Sequence, residues 1–180
     1  GHFEHGGEPA RARRWLLVAA EQAIEANDYD GALAFVARGV ALGAQGEELG
    51  ALRDIEAAAH FWRGALADSV RAADDALVLL PVGSDGWLDA MAHAARAGAA
   101  LGRPDRAVAS AGELLAYAAG GPRFAETAAS VAHGLLFAGN VALAVQLLDR
   151  AEQERHDDSR ALARVLSARA LQAALEGDTA

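Results

Sequence analysis

The residues best able to do chemistry in this chain are its six histidines and its paired acidic residues. His2 and His5 stand three residues apart around Glu4, a spacing that places both imidazoles on one helix face, where they could bind a metal ion. Only two such ligands are visible there, so an ordinary frayed helix end is the competing interpretation. Cysteine is absent, which excludes disulfides, a cysteine nucleophile and thiolate metal sites. We therefore predict no metal site and no cofactor.

The other histidines and the acidic pairs form no recognisable catalytic arrangement. His60, His93 and His133 fall at three different phases of the repeat described below, and His156 lies in a predicted linker. Adjacent acids do not share a helix face, because the useful spacing on a helix is three or four residues. The sequence contains no Gly-x-Ser-x-Gly nucleophile elbow. We predict that the chain is not an enzyme and has no catalytic residues.

The elements that must position these side chains are predicted to be helices. Hydrophobic residues make up 53% of the chain, with much alanine among them, whereas aromatic residues make up only 6%. Alanine-rich sequence favours helix, and no alternating strand pattern of useful length is present. The predicted fold class is therefore all-α. The formal charge of −9 would repel phosphates, so we expect no nucleic-acid partner.

One uncharged stretch, residues 127–148, is long enough to suggest a transmembrane helix. Gly139 and Asn140 interrupt its second half, and a polar turn at that depth would leave backbone groups unsatisfied in lipid. We interpret the stretch as two buried helices joined by a turn, and we expect a cytoplasmic protein without a membrane partner. The chain begins with Gly and shows no signal peptide, so we expect it to be excised from a longer protein or processed.

A short polar turn recurs along the chain at nearly constant spacing. In the stretch ANDYDGALAFV, Asn27 and Asp28 end one helix, and apolar residues then resume at helical spacing. Gly or Asn at the recurring position suits a helix end in the left-handed region. The marker residues, at intervals of 37, 38, 37 and 38, are Asn27, Gly64, Gly102, Gly139 and Gly177. Such a period indicates a helical repeat array.

Small residues keep the same phase as these turns, which would let neighbouring helices approach closely. Seven residues before the markers stand Ala20, Ala57, Ala95, Ala132 and Ala170. Five residues after them stand Ala32, Ser69, Ala107 and Ala144. Each unit is therefore predicted to consist of a helix A, a turn and a helix B.

The predicted helices cover most of a single repeat domain over residues 1–180. The A helices are placed near 9–26, 47–63, 85–101, 123–138 and 158–176, the last being a terminal helix. The B helices are placed near 29–42, 66–80, 104–118 and 141–154. The repeats thus lie near 9–42, 47–80, 85–118 and 123–154. Pro9 and Pro104 suit first-turn positions, and Ser84 and Asp157 are predicted N-caps.

This pattern resembles the tetratricopeptide repeat, in which small residues flank a Gly-Asp-Tyr-like turn between two helices. The matching residues are Asn27–Asp30 with Ala32, then Gly64, Ser69, Ala76 and Pro81, then Gly139, Ala144 and Ala151. Leu114 departs from the family pattern, because a small residue is expected there, and the period exceeds the family's 34. The resemblance implies a right-handed α-solenoid of antiparallel helix pairs with about 4.5 repeats.

A second resemblance concerns the first quarter of the chain. Residues 2–40 are similar to the repeat region found C-terminal to kinase and ATPase modules in large bacterial signalling proteins. This similarity implies a sensory or interaction arm attached to a serine/threonine kinase or a signalling ATPase. It transfers no catalytic residue, because the chain has no Gly-rich phosphate loop and no kinase motif.

The candidate binding site is the concave face that such a solenoid would have. Aligned to the repeat, Trp62 falls on the inner face of an A helix, with Phe61 beside it. Comparable positions are occupied by Asp54, Asp89, Arg96, Glu126, His133 and Arg164. Two other interpretations stay open: the inner face is solvated and binds nothing, or Trp62, like Trp15 and Trp87, fills a gap between helices.

We expect a non-enzymatic protein-interaction or sensory domain that holds a protein or peptide in its groove. One alternative is a small-molecule effector sensor that relays binding to an attached ATPase or kinase, which an apolar pocket would favour. The other is a self-associating scaffold. Helix 158–176 has no following B helix to cover its apolar residues, so it could form a homo-oligomer through Leu162, Val165, Leu166 and Leu171.

Overall fold

The computed structural model describes residues 7–177, with side chains from residue 9, and this part of the chain contains nine helices and no strand. The predicted all-α class is confirmed, and the predicted helix ends lie within two residues of the observed ones. The helices are α1 (Gly7–Glu25), α2 (Tyr29–Ala41), α3 (Gly46–Trp62), α4 (Leu66–Leu79), α5 (Asp85–Ala100), α6 (Pro104–Ala116), α7 (Pro122–Phe137), α8 (Val141–Glu154) and α9 (Ser159–Gly177).

The chain consists of two compact units, and the boundary between them lies between Ala90 and Met91, inside α5. In the first unit, α3 packs against α1, α2 and α4, and α1 also packs against α2. In the second unit, α7 packs against α6, α8 and α9, while α8 also contacts α6 and α9. The single repeat domain over residues 1–180 stays a prediction.

Four of the five predicted turns share one backbone geometry. Asn27 has a φ of 59°, and φ is 76° at Gly64, Gly102 and Gly139. In each turn the marker N–H donates to the carbonyl three residues earlier, and the next N–H donates to the carbonyl five residues earlier. This is the Schellman motif, which satisfies carbonyls that the helix end would leave unpaired. Gly177, the fifth marker, is the last residue of α9.

The small residues of the repeat are buried at all but one position. Ala20, Ala57, Ala95, Ala132, Ala32, Ser69, Ala107 and Ala144 are all fully buried. In the second pair the Ser69 hydroxyl donates to the Ala57 carbonyl at 2.8 Å, so the start of α4 lies against the end of α3 and the two helices run antiparallel. Ala170 has the same phase but is exposed, since no B helix follows α9 among the described residues.

The predicted helix starts are confirmed at three positions and wrong at one. Pro9 lies in the first turn of α1, Pro104 is the first residue of α6, and Ser84 caps α5 through its hydroxyl. The predicted cap Asp157 is wrong. Its neighbour Asp158 caps α9 by accepting two first-turn N–H groups at 2.9 and 2.8 Å, because α9 begins one residue later than predicted.

Two side chains of α8 hold the linker between α6 and α7: the Glu154 carboxylate accepts from the Gly121 N–H at 3.1 Å, and Arg150 makes the other contacts. The Arg150 guanidinium donates hydrogen bonds to the carbonyls of Leu114, Leu115, Tyr117 and Ala119. It also lies 4.4 Å from the centre of the Phe124 ring, within cation–π distance. Arg150 therefore satisfies carbonyls at the end of α6 and in the linker that leads to α7.

The uncharged stretch 127–148 is divided between α7 and α8 by the turn at Gly139, as predicted. Between residues 7 and 177, no helix combines the length and apolar character needed to cross a membrane.

Candidate functional site

An exposed aromatic cluster lies in the first unit, where the end of α3 meets the start of α2. Trp62, the last residue of α3, exposes 57% of its surface. Its indole stacks on the ring of Tyr29, with centroids 6.4 Å apart and planes 12° apart. Phe61 meets the same indole edge-on at 5.4 Å. The aromatic cluster (Tyr29, Phe61 and Trp62) therefore fixes an indole that is largely open to solvent.

Polar contacts hold the two turns on either side of this cluster. The Tyr29 hydroxyl donates to Oδ1 of Asn27 at 2.8 Å, which orients the phenol ring from the first turn. Arg63, which follows Trp62, forms an ion pair with Asp30 of α2 at 3.2 Å. An exposed ion pair adds little stability, but here it joins the same two segments that the aromatic rings join.

The remaining predicted residues of the first unit lie on α3 and α5 and are half-buried. Asp54 precedes Phe61 by seven residues, so both lie on one face of α3, two turns apart. Asp89 lies in the part of α5 that belongs to the first unit. The structure thus brings Phe61 and Trp62 into contact and places Asp54 further along the same helix.

In the second unit, Glu126 lies between two arginines. Its Oε2 is 3.3 Å from Nε of Arg160, which lies on α9, and 3.4 Å from a terminal nitrogen of Arg123, one helical turn away on α7. The Glu126 carboxylate is mostly shielded from solvent, so these charges are less screened than an exposed pair. The arrangement links α7 to α9 and leaves Arg160 largely exposed.

His133 lies seven residues after Glu126, on the same face of α7. Its ring is 5.1 Å from the ring of Phe137, which is highly exposed at the end of α7. Burial lowers the pKa of His133 below 6.5, and the positive charge of Arg164 on α9 lowers it further. The imidazole is therefore biased toward its neutral form, which can both donate and accept a hydrogen bond.

Sequence reasoning missed three residues that these surfaces use. Phe137 stands two residues before Gly139, as Trp62 stands two residues before Gly64, so the repeat phase could have identified it. Tyr29 and Arg160 act through partners about thirty residues away in sequence, and no local pattern reveals such contacts. Arg96 is half-buried on α5, in the second unit.

The three tryptophans differ in their surroundings. Trp87 is only 4% exposed and fills a gap in the core, which confirms one interpretation of the tryptophans for this residue. Trp15 is 61% exposed and meets the ring of Phe35 edge-on at 5.9 Å. Trp15 and Trp62 are therefore surface residues that neighbouring rings hold in place.

The two histidines of the candidate metal site, His2 and His5, lie outside the described residues. From residue 9 to 177, no group of three or more histidine and acidic side chains is placed to hold a metal ion. His156 lies in the linker between α8 and α9, as predicted, with a left-handed φ of 48°.

Comparison of the chain with protein-family models, with curated proteins and with solved structures gives no match. The resemblance to the tetratricopeptide repeat therefore stays a prediction. The side chains of the two units are the basis for a functional proposal.

Proposed function

We propose that the chain is a non-enzymatic helical repeat domain that binds a protein or peptide partner through the aromatic cluster. The observation that supports this is the state of Trp62, which is more than half exposed while Tyr29 and Phe61 fix its plane. A side chain that is already ordered loses little conformational entropy on binding. Tryptophan and tyrosine are also enriched among the residues that dominate binding energy.

The partner that suits this cluster presents an apolar side chain to the exposed part of the Trp62 indole. Asp30 and Arg63 border the cluster as an exposed ion pair. Polar groups of the partner can therefore accept hydrogen bonds from Arg63 or donate them to Asp30. A helix or an extended segment with one apolar residue among polar ones meets these requirements.

We further propose that the helix pairs stack as a right-handed, TPR-like solenoid of about 4.5 repeats. The regular intervals between turns, the common Schellman geometry and the buried small residues at fixed phase support this arrangement. The handedness rests on the family resemblance alone. On the same basis, we propose that the domain belongs to a cytoplasmic bacterial signalling protein with a kinase or ATPase module.

The test is partner capture from a bacterial lysate with the parent chain, Trp62→Ala and the control Val78→Ala, followed by calorimetry with the purified partner. Val78 is an exposed apolar residue of α4, so its replacement shortens an exposed apolar side chain without touching the aromatic rings. We expect Trp62→Ala to weaken binding at least about 30-fold, the loss typical of a dominant interface residue. Val78→Ala should change binding less than about threefold.

If a partner binds Trp62→Ala as tightly as the parent chain, the aromatic cluster is not the binding surface. Circular dichroism of both variants shows whether the helices are intact, so that loss of binding is not loss of fold.

A second candidate function is self-association through α9. Val165 is buried, but Leu166 beside it is largely exposed, and Leu162 and Leu171 are half-buried. Leu162 and Leu166 are four residues apart and therefore adjoin on one face of α9, and an exposed apolar patch can mark an interface between copies. Sedimentation equilibrium of the parent and Leu166→Glu tests this: a concentration-dependent dimer that the substitution abolishes supports it, and a strictly monomeric parent contradicts it.

A further inference from the structure

A depression on the first unit lies between α1 and α2, and the proposed function does not use it. It has a volume of about 460 Å³ and is lined by Arg11, Ala12, Trp15, Leu16, Arg38 and Leu42. We call it the Trp15 depression. Its volume lies within the range of roughly 300–1,000 Å³ that is typical of ligand sites, and it could accept one or two large side chains.

Alanine, leucine and tryptophan side chains form the apolar part of the depression. Leu16 is buried and forms part of the core, whereas Trp15 is more than half exposed. The edge-on contact with Phe35 of α2 holds the Trp15 indole at right angles to that ring. Leu42, just beyond α2, adds further exposed apolar surface. An ordered aromatic wall of this kind favours an aromatic or long aliphatic side chain as its occupant.

The charged part of the depression is positive. Arg11 on α1 and Arg38 on α2 are both exposed, and none of the lining side chains between residues 9 and 177 is acidic. Glu48 is already paired with Arg13 at 2.7 Å, and Arg13 also donates to the carbonyl of Leu42 at 3.2 Å. Two guanidinium groups beside an apolar depression are a local reversal of sign in a chain with a net charge of −9.

We propose that the Trp15 depression binds a short acidic segment of a partner protein. An aromatic or long aliphatic side chain of that segment packs on Trp15, and the flanking aspartate or glutamate carboxylates accept hydrogen bonds from Arg11 and Arg38. Guanidinium and carboxylate groups match in geometry and form strong, charge-assisted hydrogen bonds. A long polyanion such as nucleic acid is disfavoured, because the negative charge of the chain beyond the depression would repel it.

The test is an NMR titration that follows the indole N–H signals of Trp15, Trp62 and Trp87, each assigned by its loss in a Trp→Phe variant. The probes are three synthetic octapeptides. The first carries one Phe flanked by Asp residues, the second replaces the Phe with Ala, and the third replaces the Asp residues with Lys. We expect the first to shift the Trp15 signal saturably and leave Trp62 unchanged, with the other two at least about tenfold weaker.

The double variant Arg11→Gln, Arg38→Gln should bind the first peptide about tenfold more weakly, with little loss of helix by circular dichroism, because both residues are exposed. Arg71→Gln is the matched control, since Arg71 is an exposed arginine on α4 that forms an ion pair with Asp68 on the same helix at 2.7 Å. Its affinity for the peptide should equal that of the parent.

Each of three binding results would overturn the proposal, and so would one pattern of tryptophan shifts. The binding results are no saturable shift of Trp15 up to about 1 mM peptide, equal binding of the Lys peptide, and tighter binding of a single-stranded DNA octamer than of the Asp peptide. A shift of Trp62 without a shift of Trp15 would also overturn it, while leaving the proposed function of the aromatic cluster standing.

Discussion

Trp62 and Phe137 occupy the same position in two different helix pairs. Each stands two residues before the left-handed glycine of its turn, Gly64 or Gly139, and both glycines have a φ of 76°. Both aromatic side chains are exposed, 57% for Trp62 and 72% for Phe137. Yet Trp62 lies between two aromatic rings, whereas the ring contact observed for Phe137 is a tilted one with His133.

The difference lies in the neighbouring repeat positions. Tyr29 stands two residues after Asn27, and Pro104 stands two residues after Gly102, where the repeat phase would place the corresponding partner of Phe137. A proline offers no aromatic face for stacking. The repeat therefore determines where a side chain emerges, and the identity of its neighbours determines whether that side chain is fixed for binding.

The largest effects on stability should come from the glycine turns beside Trp62 and Phe137, which have the same geometry at the two sites. Gly64→Ala and Gly139→Ala should each lower the free energy of unfolding by about 1–2 kcal/mol, because an L-residue is strained in the left-handed region. A Cβ at either position meets no atom within 4 Å, so the loss is that of the backbone alone and should be equal at both. Urea denaturation gives the values.

Gly112→Ala is the control for these two substitutions. Gly112 lies inside α6, its Cβ would also meet nothing within 4 Å, and its φ is not left-handed. Gly112→Ala should therefore raise the free energy of unfolding by about 0.4–1 kcal/mol, because alanine reduces the flexibility of the unfolded chain. Unequal losses at Gly64 and Gly139 would show that the two turns are not equivalent.

A smaller effect is expected where the helices of each pair cross. Ser69→Ala should cost about 1 kcal/mol, because it removes the buried hydrogen bond to the Ala57 carbonyl. Ala144 is its counterpart in the fourth pair. If the crossing repeats, Ala144→Ser should change the stability by less than about 1 kcal/mol, since the Ala132 carbonyl is then available to the new hydroxyl. Chemical denaturation measures this change. A larger loss of stability in Ala144→Ser would mean that the Ala132 carbonyl is not within hydrogen-bond distance of the new hydroxyl.

The ring contact that distinguishes the two sites should contribute somewhat less. Tyr29→Leu removes the stacking partner of Trp62, with an expected cost of about 0.5–1 kcal/mol. The heteronuclear NOE of the Trp62 indole should fall, because the side chain gains motion. Tyr117→Leu is the control, since Tyr117 stacks on Phe124 in the second unit and should leave the Trp62 value unchanged. An unchanged NOE in Tyr29→Leu would mean that Phe61 alone fixes the indole.

The smallest effect concerns the neighbour of Phe137. The NMR titration midpoint of His133 should lie below 6.5, and Arg164→Gln should raise it while burial keeps it below 6.5. Because the pKa is lower in the folded state, His133 stabilises the fold above pH 6.5 and loses this contribution as the pH falls through the folded pKa. His133→Gln should remove that pH dependence, and a midpoint above 6.5 would contradict the assignment.

The helices could be placed from sequence because their ends depend on local chemistry. A Gly or Asn in the left-handed region ends a helix wherever it stands, so the markers at Asn27, Gly64, Gly102 and Gly139 were sufficient. The prediction of Asp157 as the cap of α9 was wrong because the adjacent Asp158 has the same capping chemistry. Only the position of the first helical N–H groups distinguishes them.

Burial and long-range contacts could not be predicted in the same way. Ala170 has the type and phase of four alanines that are fully buried, but it is exposed because burial depends on the helix that packs opposite. Trp62 could be identified as a large aromatic residue in phase with the repeat. The stacking of Tyr29 against it is set by packing between α2 and α3, which is a property of the folded chain.

The Arg150 contacts of the second unit can form only after α8 has been synthesised. The carbonyls that this guanidinium binds are 31 to 36 residues earlier in the chain. At a synthesis rate of roughly 5–20 residues per second, the end of α6 leaves the ribosome about 2–7 s before the arginine that completes it. Until then the linker lacks these hydrogen bonds, although Tyr117 can already stack on Phe124 of α7. The carbonyls at the end of α6 therefore gain their side-chain partner only after α8 has been synthesised.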